Sequence, residues 1–420
     1  MTMKKLHSLI CTPFFICVLC LVVANAATHP GDILALKNLK QGLDSTSIAL
    51  GSCLSSWDFS MDPCDNLFSA HFTCGLSCDF SLSGLRRVTE ITLDSAGYSG
   101  TLTSATWNLP YLHTLDLSGN FFSGSLPESF SNLVRLRHLS LSRNSFSYSI
   151  PYSLGSLPYL EELYLDNNQL SGSIPPSLNK LSHLKRLEIQ QNHLSGDFPY
   201  LGSLKNLYFL DASENNISSL GSNPLSLPIS LISFSMRNNN LVGQMPRKFL
   251  HMQFLEVLDL SYNQLSGPIP GEIFLHPSLQ QLSLCHNRFL SVENPRKDEN
   301  IGGKMVAVDL SYNEIGGLLP KFLADFPNLS ALSLEHNRFT GMIPSGYAAK
   351  VATASFQRLL LGGNYLFGPI PGPFKRVKPG SVNVSLVDNC LLVCPDTYFF
   401  CKGGDQKSIL QCKSFRHTIP

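Results

Sequence analysis

LEVLDLSYNQLSGPIP, residues 255–270, contains the pattern that determines the fold of this chain. Leu255, Leu258 and Leu260 follow the spacing L-x-x-L-x-L, and Asn263 comes three residues after the last leucine. The same frame recurs along the chain, mostly every 24 residues, and each copy after the first, which has Ala96 at this place, is followed by an asparagine. The asparagines are Asn120, Asn144, Asn168, Asn192, Asn215, Asn239, Asn263, Asn287, Asn313, Asn337 and Asn364. A repeat of this period predicts a solenoid of stacked coils.

Twelve frames are recognised, and they open at Val88, Leu112, Leu136, Leu160, Leu184, Leu207, Leu231, Leu255, Leu279, Met305, Leu329 and Phe356. Alternating apolar and polar residues predict one short strand in each coil. Leu115 and Leu117 are expected to point into the stack. Thr114, Asp116 and Ser118 are expected to point outwards. Strands of successive coils should pair in parallel about 4.8 Å apart.

The repeated asparagine is interpreted as structural. The chain must turn after each strand, and buried backbone groups at that turn need hydrogen-bond partners. A side-chain amide has both donor and acceptor capacity, so one inward asparagine can bond the turns of its own and the neighbouring coil. We therefore expect no ligand-binding role for these residues.

A second signature, L-x-G-x-[IL]-P, follows most of the asparagines, as in residues 170–175 and 265–270. Glycine permits a positive-φ turn, and proline ends the short extended piece. This element resembles the plant-specific class of leucine-rich repeats, over about Val88 to Pro371. The resemblance implies an α/β solenoid with a parallel sheet on its concave face, short 3-10 or irregular convex segments and an extra strand per coil. Coils 6 and 9 lack the signature, which is interpreted as surface loops, with partner-contacting loops as the alternative.

Residues 27–87 resemble the N-terminal cap of plant leucine-rich-repeat receptors, with a predicted helix over Asp32–Leu43 followed by Trp57. The solenoid is assigned to residues 88–375 and a C-terminal cap to residues 376–420. Cysteines cluster before and after the repeats, which predicts disulfide-stapled caps of unresolved connectivity, with zinc ligation as the alternative. These cysteines are Cys53, Cys64, Cys74, Cys78, Cys390, Cys394, Cys401 and Cys412. Cys285 is interpreted as an inert thiol, a reactive one being the alternative.

The N-terminus predicts a cleaved secretory signal over residues 1–26. Lys4 and Lys5 precede an apolar stretch, Pro13 to Val23, and Ala24-Asn25-Ala26 has the small-x-small cleavage pattern. An uncleaved anchor is the alternative, although the apolar stretch is short for a bilayer span. The protein is expected in the apoplast or cell wall, or at the plasma-membrane surface through a partner, with no later membrane span. Three sequons predict glycosylation, at Asn216, Asn328 and Asn383.

Composition and motifs predict neither catalysis nor a cofactor. Lys and Arg total 31 against 30 Asp and Glu, so no concentrated basic character indicates nucleic-acid binding. Catalytic motifs and metal-binding motifs are not found, and no metal or cofactor is predicted. His286 and His336 occupy equivalent positions two coils apart and are expected to form a surface column. One outward column of carboxylates is also expected, formed by Asp116, Glu188, Asp211, Asp259 and Asp309.

The chemically most diverse outward positions lie in coils 4–8. Aromatic side chains there are interleaved with arginines, which is typical of interface hot spots. The predicted partner-binding residues are Tyr164, Asp166, Arg186, Glu188, Phe209, Asp211, Arg237, Asp259 and Tyr262.

The resemblance to plant receptor-like proteins implies a secreted protein that binds a peptide, an elicitor or a receptor-kinase ectodomain and signals only through a partner. The alternative is a soluble inhibitor of a microbial wall-degrading hydrolase in plant defence, because polygalacturonase-inhibiting proteins are similar in architecture. This chain has more coils and a longer N-terminal cap than is typical of those inhibitors, which favours the receptor-like interpretation.

Overall fold

The computed structural model describes residues 27–80, 84–103, 105–221, 227–295 and 303–416. The predicted leader, residues 1–26, lies outside this part of the chain. Within it, one long sheet has 14 strands, of which the first, Leu76–Phe80, is antiparallel to its neighbour. The others run parallel, one per coil. They are Arg86–Thr92, Thr114–Asp116, His138–Ser140, Glu162–Tyr164, Arg186–Glu188, Phe209–Asp211, Ser233–Ser235, Val257–Asp259, Gln281–Ser283, Ala307–Asp309, Ala331–Ser333, Arg358–Leu360 and Asn383–Ser385.

The predicted inward and outward alternation is confirmed. Leu115 and Leu117 are fully buried, and so are the equivalent leucines of the other coils. Because the strands are in direct register, each outward side chain lies beside its counterpart in the next coil, as in Arg186 beside Phe209. One continuous apolar core therefore runs through the stack, and one continuous outward surface, the concave face, lies on the strands.

The asparagine side chains close the turns as expected. Asn263 Nδ2 donates to the backbone oxygens of Leu260 and Ser261 in its own coil and of Met236 in the preceding coil, at 3.1, 3.0 and 2.9 Å. Its Oδ1 accepts the N–H of Leu241, also in the preceding coil, at 2.9 Å. Each amide thus connects two turns, and the same pattern recurs at the other repeated asparagines, which we call the asparagine ladder.

The sequence count of twelve coils omits one. A thirteenth strand, Asn383–Ser385, pairs with Arg358–Leu360 inside the segment assigned to the C-terminal cap. Asn389 completes the ladder there, since its Oδ1 accepts from Leu366 N at 3.1 Å and its Nδ2 donates to Leu361 O at 3.0 Å. Valines replace leucines at the inward positions of this coil, which obscured the frame.

A second set of strands lies beside the long sheet, and in the described chain it divides into sheets of six, three and four strands. The two breaks follow coils 6 and 9, each of which lacks both the glycine and the proline at their places in the second signature. The six strands are Ser99–Thr101, Phe121–Gly124, Ser145–Tyr148, Gln169–Gly172, His193–Asp197 and Asn216–Ser219. The three are Val242–Gln244, Gln264–Ile269 and Arg288–Val292, and the four are Gly316–Leu318, Arg338–Gly341, Tyr365–Gly368 and Cys390–Leu391.

The convex side is built mainly from 3-10 turns, most of which follow a proline that ends the second strand. They are Glu128–Asn132, Tyr152–Ser156, Pro176–Lys180, Arg247–His251, Gly271–Leu275, Lys321–Ala324 and Gly372–Arg376. Coil 11 has a short α-helix here instead, Ser345–Ala352. The convex side thus consists of turns and one helix, whereas the opposite side consists of strands.

The N-terminal cap packs a helix, Pro30–Gln41, against the first parallel strand. Asp32 on this helix is fully buried and pairs with Arg87 through two hydrogen bonds of 2.9 and 2.8 Å. Trp57, after the short helix Cys53–Ser56, is buried and donates its indole N–H to Cys74 O at 3.0 Å. These contacts cover the open end of the apolar core.

All eight cap cysteines are paired, so zinc ligation is wrong. The bonds are Cys53–Cys74, Cys64–Cys78, Cys390–Cys412 and Cys394–Cys401. The C-terminal cap adds the turn Phe399–Cys401 and the helix Ile409–Arg416. In the described ranges, no helix combines the length and apolar character of a bilayer-spanning segment.

We expect Asn239→Ala to lower the free energy of unfolding by about 1–3 kcal/mol, because it leaves buried backbone groups without partners. Asn239 bonds Ala212 O at 3.0 Å and accepts from Ile217 N at 3.0 Å. The next residue, Asn240, is exposed, and Asn240→Ala is the matched control. Urea unfolding of both variants checks the difference. Equal losses in the two would contradict a structural role for the ladder.

Candidate binding face

The concave face in coils 3–6 carries side chains that are already paired with each other. Arg186 Nε lies 2.5 Å from Glu188 Oε1, and the Arg186 guanidinium stacks over Phe209 at 3.7 Å. Tyr164 donates its hydroxyl to Glu162 at 3.3 Å. Burial, followed by the charge of Glu162, raises the pKa of Tyr164 to about 12, so the phenol stays protonated. The structure thus brings four predicted residues together as one aromatic and guanidinium cluster.

Asp166, one of the predicted contact residues, is largely buried and is engaged in hydrogen bonds. Only 7% of the residue is exposed. Its carboxylate accepts hydrogen bonds from the Ser142 hydroxyl and, at 2.8 Å, from Asn167 Nδ2. Asp166 lies beyond the strand, where the chain bends inward, so its side chain closes the turn.

Asp211 and Asp259 are half-buried on the face and share one geometry. Oδ1 of each accepts the backbone N–H two residues later, at 2.9 Å in both cases. This bond uses one carboxylate oxygen and directs the other away from the backbone. Burial raises the pKa of Asp211, and the nearby charges of Glu188 and Asp259 add to the effect.

A stack of rings runs along the edge of the face where the strands end. Tyr262 and His286 are 4.1 Å apart between centroids, His286 and Tyr312 are 4.2 Å apart, and Tyr312 and His336 are 4.3 Å apart. Arg237 lies over Tyr262 at 4.5 Å. The sequence predicted a column for His286 and His336, but it missed the tyrosine between them. We call these four rings the aromatic ladder.

The aromatic ladder occupies strained backbone positions. Its members precede the ladder asparagines and have φ values of 54°, 53°, 54° and 49°. A left-handed conformation costs a bulky L-residue roughly 1–2 kcal/mol. Gly363 takes the next position, where a Cβ would lie 2.5 Å from His336 Nδ1. The residue before each asparagine is thus the sequence signal that could have found the ladder.

Next to the aromatic ladder, the face contains a hollow of about 240 Å³ over coils 9–11. Small side chains leave this space, and the charged side chains of Asp309 and Arg358 border it. The small residues are Ser283, Ala307, Ala331 and Ser333. The hollow lies outside coils 4–8, where the sequence predicts the partner-binding residues. It was missed because hot spots are expected at aromatic and arginine side chains, and several of the residues that line the hollow are small.

The structure also gives the exposure of the predicted free cysteine and of the three predicted glycosylation sites. Cys285 is unpaired and buried, and burial raises the pKa of its thiol, which favours the inert interpretation. Asn216, Asn328 and Asn383 are exposed. Asn383 lies in the strand of coil 13, at the end of the concave face.

We expect Arg237→Ala to raise the pKa of His286. Burial is the main cause that lowers this pKa, and the charges of Arg237 and His336 lower it further, against the opposing charge of Asp309. Removing one cation therefore makes protonation easier. NMR titration of the imidazole protons measures the shift, and Arg247→Ala, on the convex side of the same coil, is the control. An unchanged His286 pKa in Arg237→Ala would contradict the assigned coupling.

Comparison with known proteins gives matches in sequence and in structure. The leucine rich repeat family model matches residues 110–170 and 229–289. Bovine lumican (Bos taurus) is 34% identical over 102 residues, covering 24% of this chain and 28% of lumican. Receptor-like protein 9a of Arabidopsis thaliana is 40% identical over 77 residues, covering 18% of this chain and 8% of that protein.

Among solved structures, the Arabidopsis receptor kinase HAESA in complex with the peptide hormone IDA and the co-receptor SERK1 has a TM-score of 0.64 and 26% identity. The match covers 86% of this chain and 62% of that one. The plant peptide hormone receptor RGFR1 in complex with RGF2 has a TM-score of 0.63 and 29% identity, covering 73% and 47%. The chain thus spans less than two thirds of these proteins. Together with the asparagine ladder and the second strands, these matches show a leucine-rich-repeat fold that is similar to plant receptor ectodomains.

Proposed function

We propose that this protein is a non-catalytic recognition protein that binds an extended peptide or a protein segment along its concave face. The observation that carries the proposal is the face itself: one in-register surface on which paired arginines, aromatic rings and outward carboxylates follow each other from coil to coil. Solenoids use such surfaces for extended partners. The likeness to a receptor ectodomain solved with a peptide hormone supports the same use here.

We further propose that the protein acts outside the cell. The paired cysteines of both caps require an oxidising compartment, and the leader pattern of residues 1–26 provides a route to it. Its exposed sequons at Asn216, Asn328 and Asn383 are proposed glycosylation sites. A signal would then pass through a partner such as a receptor-kinase ectodomain.

Photo-cross-linking tests the proposed face. A benzophenone amino acid is placed at Val257, on the concave strand of coil 8, or at Lys180, on a convex turn. Each protein is irradiated in plant apoplastic fluid, and the attached peptides are identified by mass spectrometry. We expect defined peptides at position 257 and none at position 180. Labelling that is equal at both positions would overturn the proposal.

The same experiment distinguishes the receptor-type function from the inhibitor function. Recovery of a microbial hydrolase at position 257, with loss of its activity on binding, would replace the receptor-type function by the inhibitor function. Recovery of a peptide or of a receptor-kinase ectodomain supports the receptor-type function.

A double variant, Phe209→Ala with Arg237→Ala, is expected to weaken binding of the cross-linked ligand by at least about tenfold, because it removes an aromatic and an arginine anchor. The melting temperature should change little, since Arg237 is exposed and Phe209 is not fully buried. Phe254→Ala with Arg247→Ala is the matched control, because Phe254 is 60% exposed and Arg247 lies on the convex side. Calorimetry measures both variants. Unchanged affinity in the first would place the site elsewhere.

A further inference from the structure

One column of the concave face alternates between two residue types over six neighbouring strands. Its members are direct register partners, in the order Asp211, Ser235, Asp259, Ser283, Asp309 and Ser333. Strands in a sheet are about 4.8 Å apart, so a carboxylate recurs about every 9.6 Å along the solenoid. We call this set the Asp/Ser column.

In two aspartates of the Asp/Ser column, only one of the two carboxylate oxygens accepts hydrogen bonds from the described residues. Asp259 Oδ1 accepts from the backbone N–H and the hydroxyl of Ser261 at 2.9 and 2.5 Å. Asp309 Oδ1 accepts from Ser311 in the same way, at 3.0 and 2.6 Å. Oδ2 of both residues has no hydrogen-bond partner among the described residues. Each aspartate is thus held rigid through one oxygen, while the other faces outwards.

The serines of the Asp/Ser column leave room between the carboxylates, and one of them lacks a partner. Ser333 lines the hollow of about 240 Å³ beside Asp309. It is only 8% exposed, and no group in the described chain bonds its hydroxyl. The hydroxyl therefore has capacity for a hydrogen bond to a ligand that enters the hollow.

The aromatic ladder forms a wall beside the Asp/Ser column. Tyr262 and Tyr312 follow Asp259 and Asp309 by three residues, and they are 39% and 44% exposed. The turn before each asparagine accepts glycine or asparagine elsewhere in this chain, as at Gly119 and Asn238. The left-handed backbone at this place is shared by other coils and belongs to the turn, whereas the turn does not require aromatic rings in four consecutive coils.

The local charges favour a basic ligand. Burial raises the pKa of Asp211, with further contributions from Glu188 and Asp259. Burial also raises the pKa of Glu335, and the charge of Asp309 adds to that effect. An incoming cation would stabilise the ionised form of both carboxylates.

The repeat distance identifies the ligand conformation. A polyproline II helix rises about 3.1 Å per residue, so every third residue recurs after about 9.3 Å on one side. A β-strand repeats a side every two residues, at about 6.6–6.8 Å, and does not match the column. Proline-rich helices of this kind also dock in aromatic-lined grooves.

We propose that the ligand segment bound by coils 6–11 is a polyproline II peptide with a basic side chain at every third position. Its basic side chains meet Asp211, Asp259 and Asp309 in turn, and its proline rings pack against the aromatic ladder. This inference rests on the proposed function, because it names the class of ligand for the same face.

Synthetic peptides test the repeat. The probe is an acetylated, amidated peptide of three Arg-Pro-Pro triplets. The matched control has the same composition and charge, with three arginines followed by six prolines. Fluorescence anisotropy at fixed, low salt compares their affinities for the full chain. We expect the triplet peptide to bind at least about tenfold more tightly, since three charge contacts form in register. A peptide of Glu-Pro-Pro triplets should not bind.

Variants then locate the contact. Asp259→Asn retains the oxygen that accepts from Ser261, so the fold is preserved, and it should weaken the triplet peptide at least about fivefold. Asp116→Asn is the matched control, because Asp116 has the same register position and accepts from Ser118 N at the same 2.9 Å, but lies in coil 2, four coils before Asp211.

Equal affinity of the two arginine peptides, no binding by either, or equal losses in the two variants would overturn the polyproline II register. Cross-linking of a natural ligand at position 257 would still support the proposed function in each of those cases. The failure of this inference and the failure of the proposed function are therefore distinguishable.

Discussion

Every coil of this solenoid after the first has one amide that satisfies the backbone of two turns. Asn263, for example, accepts one N–H from the preceding coil and donates to oxygens of both coils. A turn buried between neighbours has no water to bond, so a residue with fewer donors and acceptors would leave backbone N–H and C=O groups without hydrogen bonds. The spacing of the strands, the burial of the leucines and the alignment of the outward columns all follow from this repeated closure.

The same closure determines which positions are left for recognition. Because the asparagine fixes the end of each strand, the residues before it fall into columns that continue from coil to coil. The Asp/Ser column and the aromatic ladder are two such columns. Both continue from coil 9 to coil 10, where the second set of strands is interrupted. A surface that repeats at the strand spacing is suited to ligands that repeat as well, because one favourable contact then recurs.

Much of the architecture could be predicted from the chain alone, because its signals are local and repeated. Leu115 and Asn120 identify coil 2 without knowledge of any other coil. The thirteenth coil was missed since Val382 and Val384 weaken its frame next to the cysteines of the cap. The burial of Asp166 was not foreseen, because alternation was extended past the last strand residue, Tyr164. The interruptions at coils 6 and 9 were visible, and the structure shows that they divide the second sheet.

The sequence by itself determined the period, the inward leucines, the turn-closing asparagines and the clustering of cysteines at both ends. These features depend on short-range spacing and on residue chemistry. Only the tertiary structure decided which cysteines pair, that Arg186 is already engaged by Glu188 and Phe209, and that four rings stack beside a hollow. Those properties depend on distances between residues of different coils. Such distances exist only once stacking has brought side chains about 24 positions apart into contact.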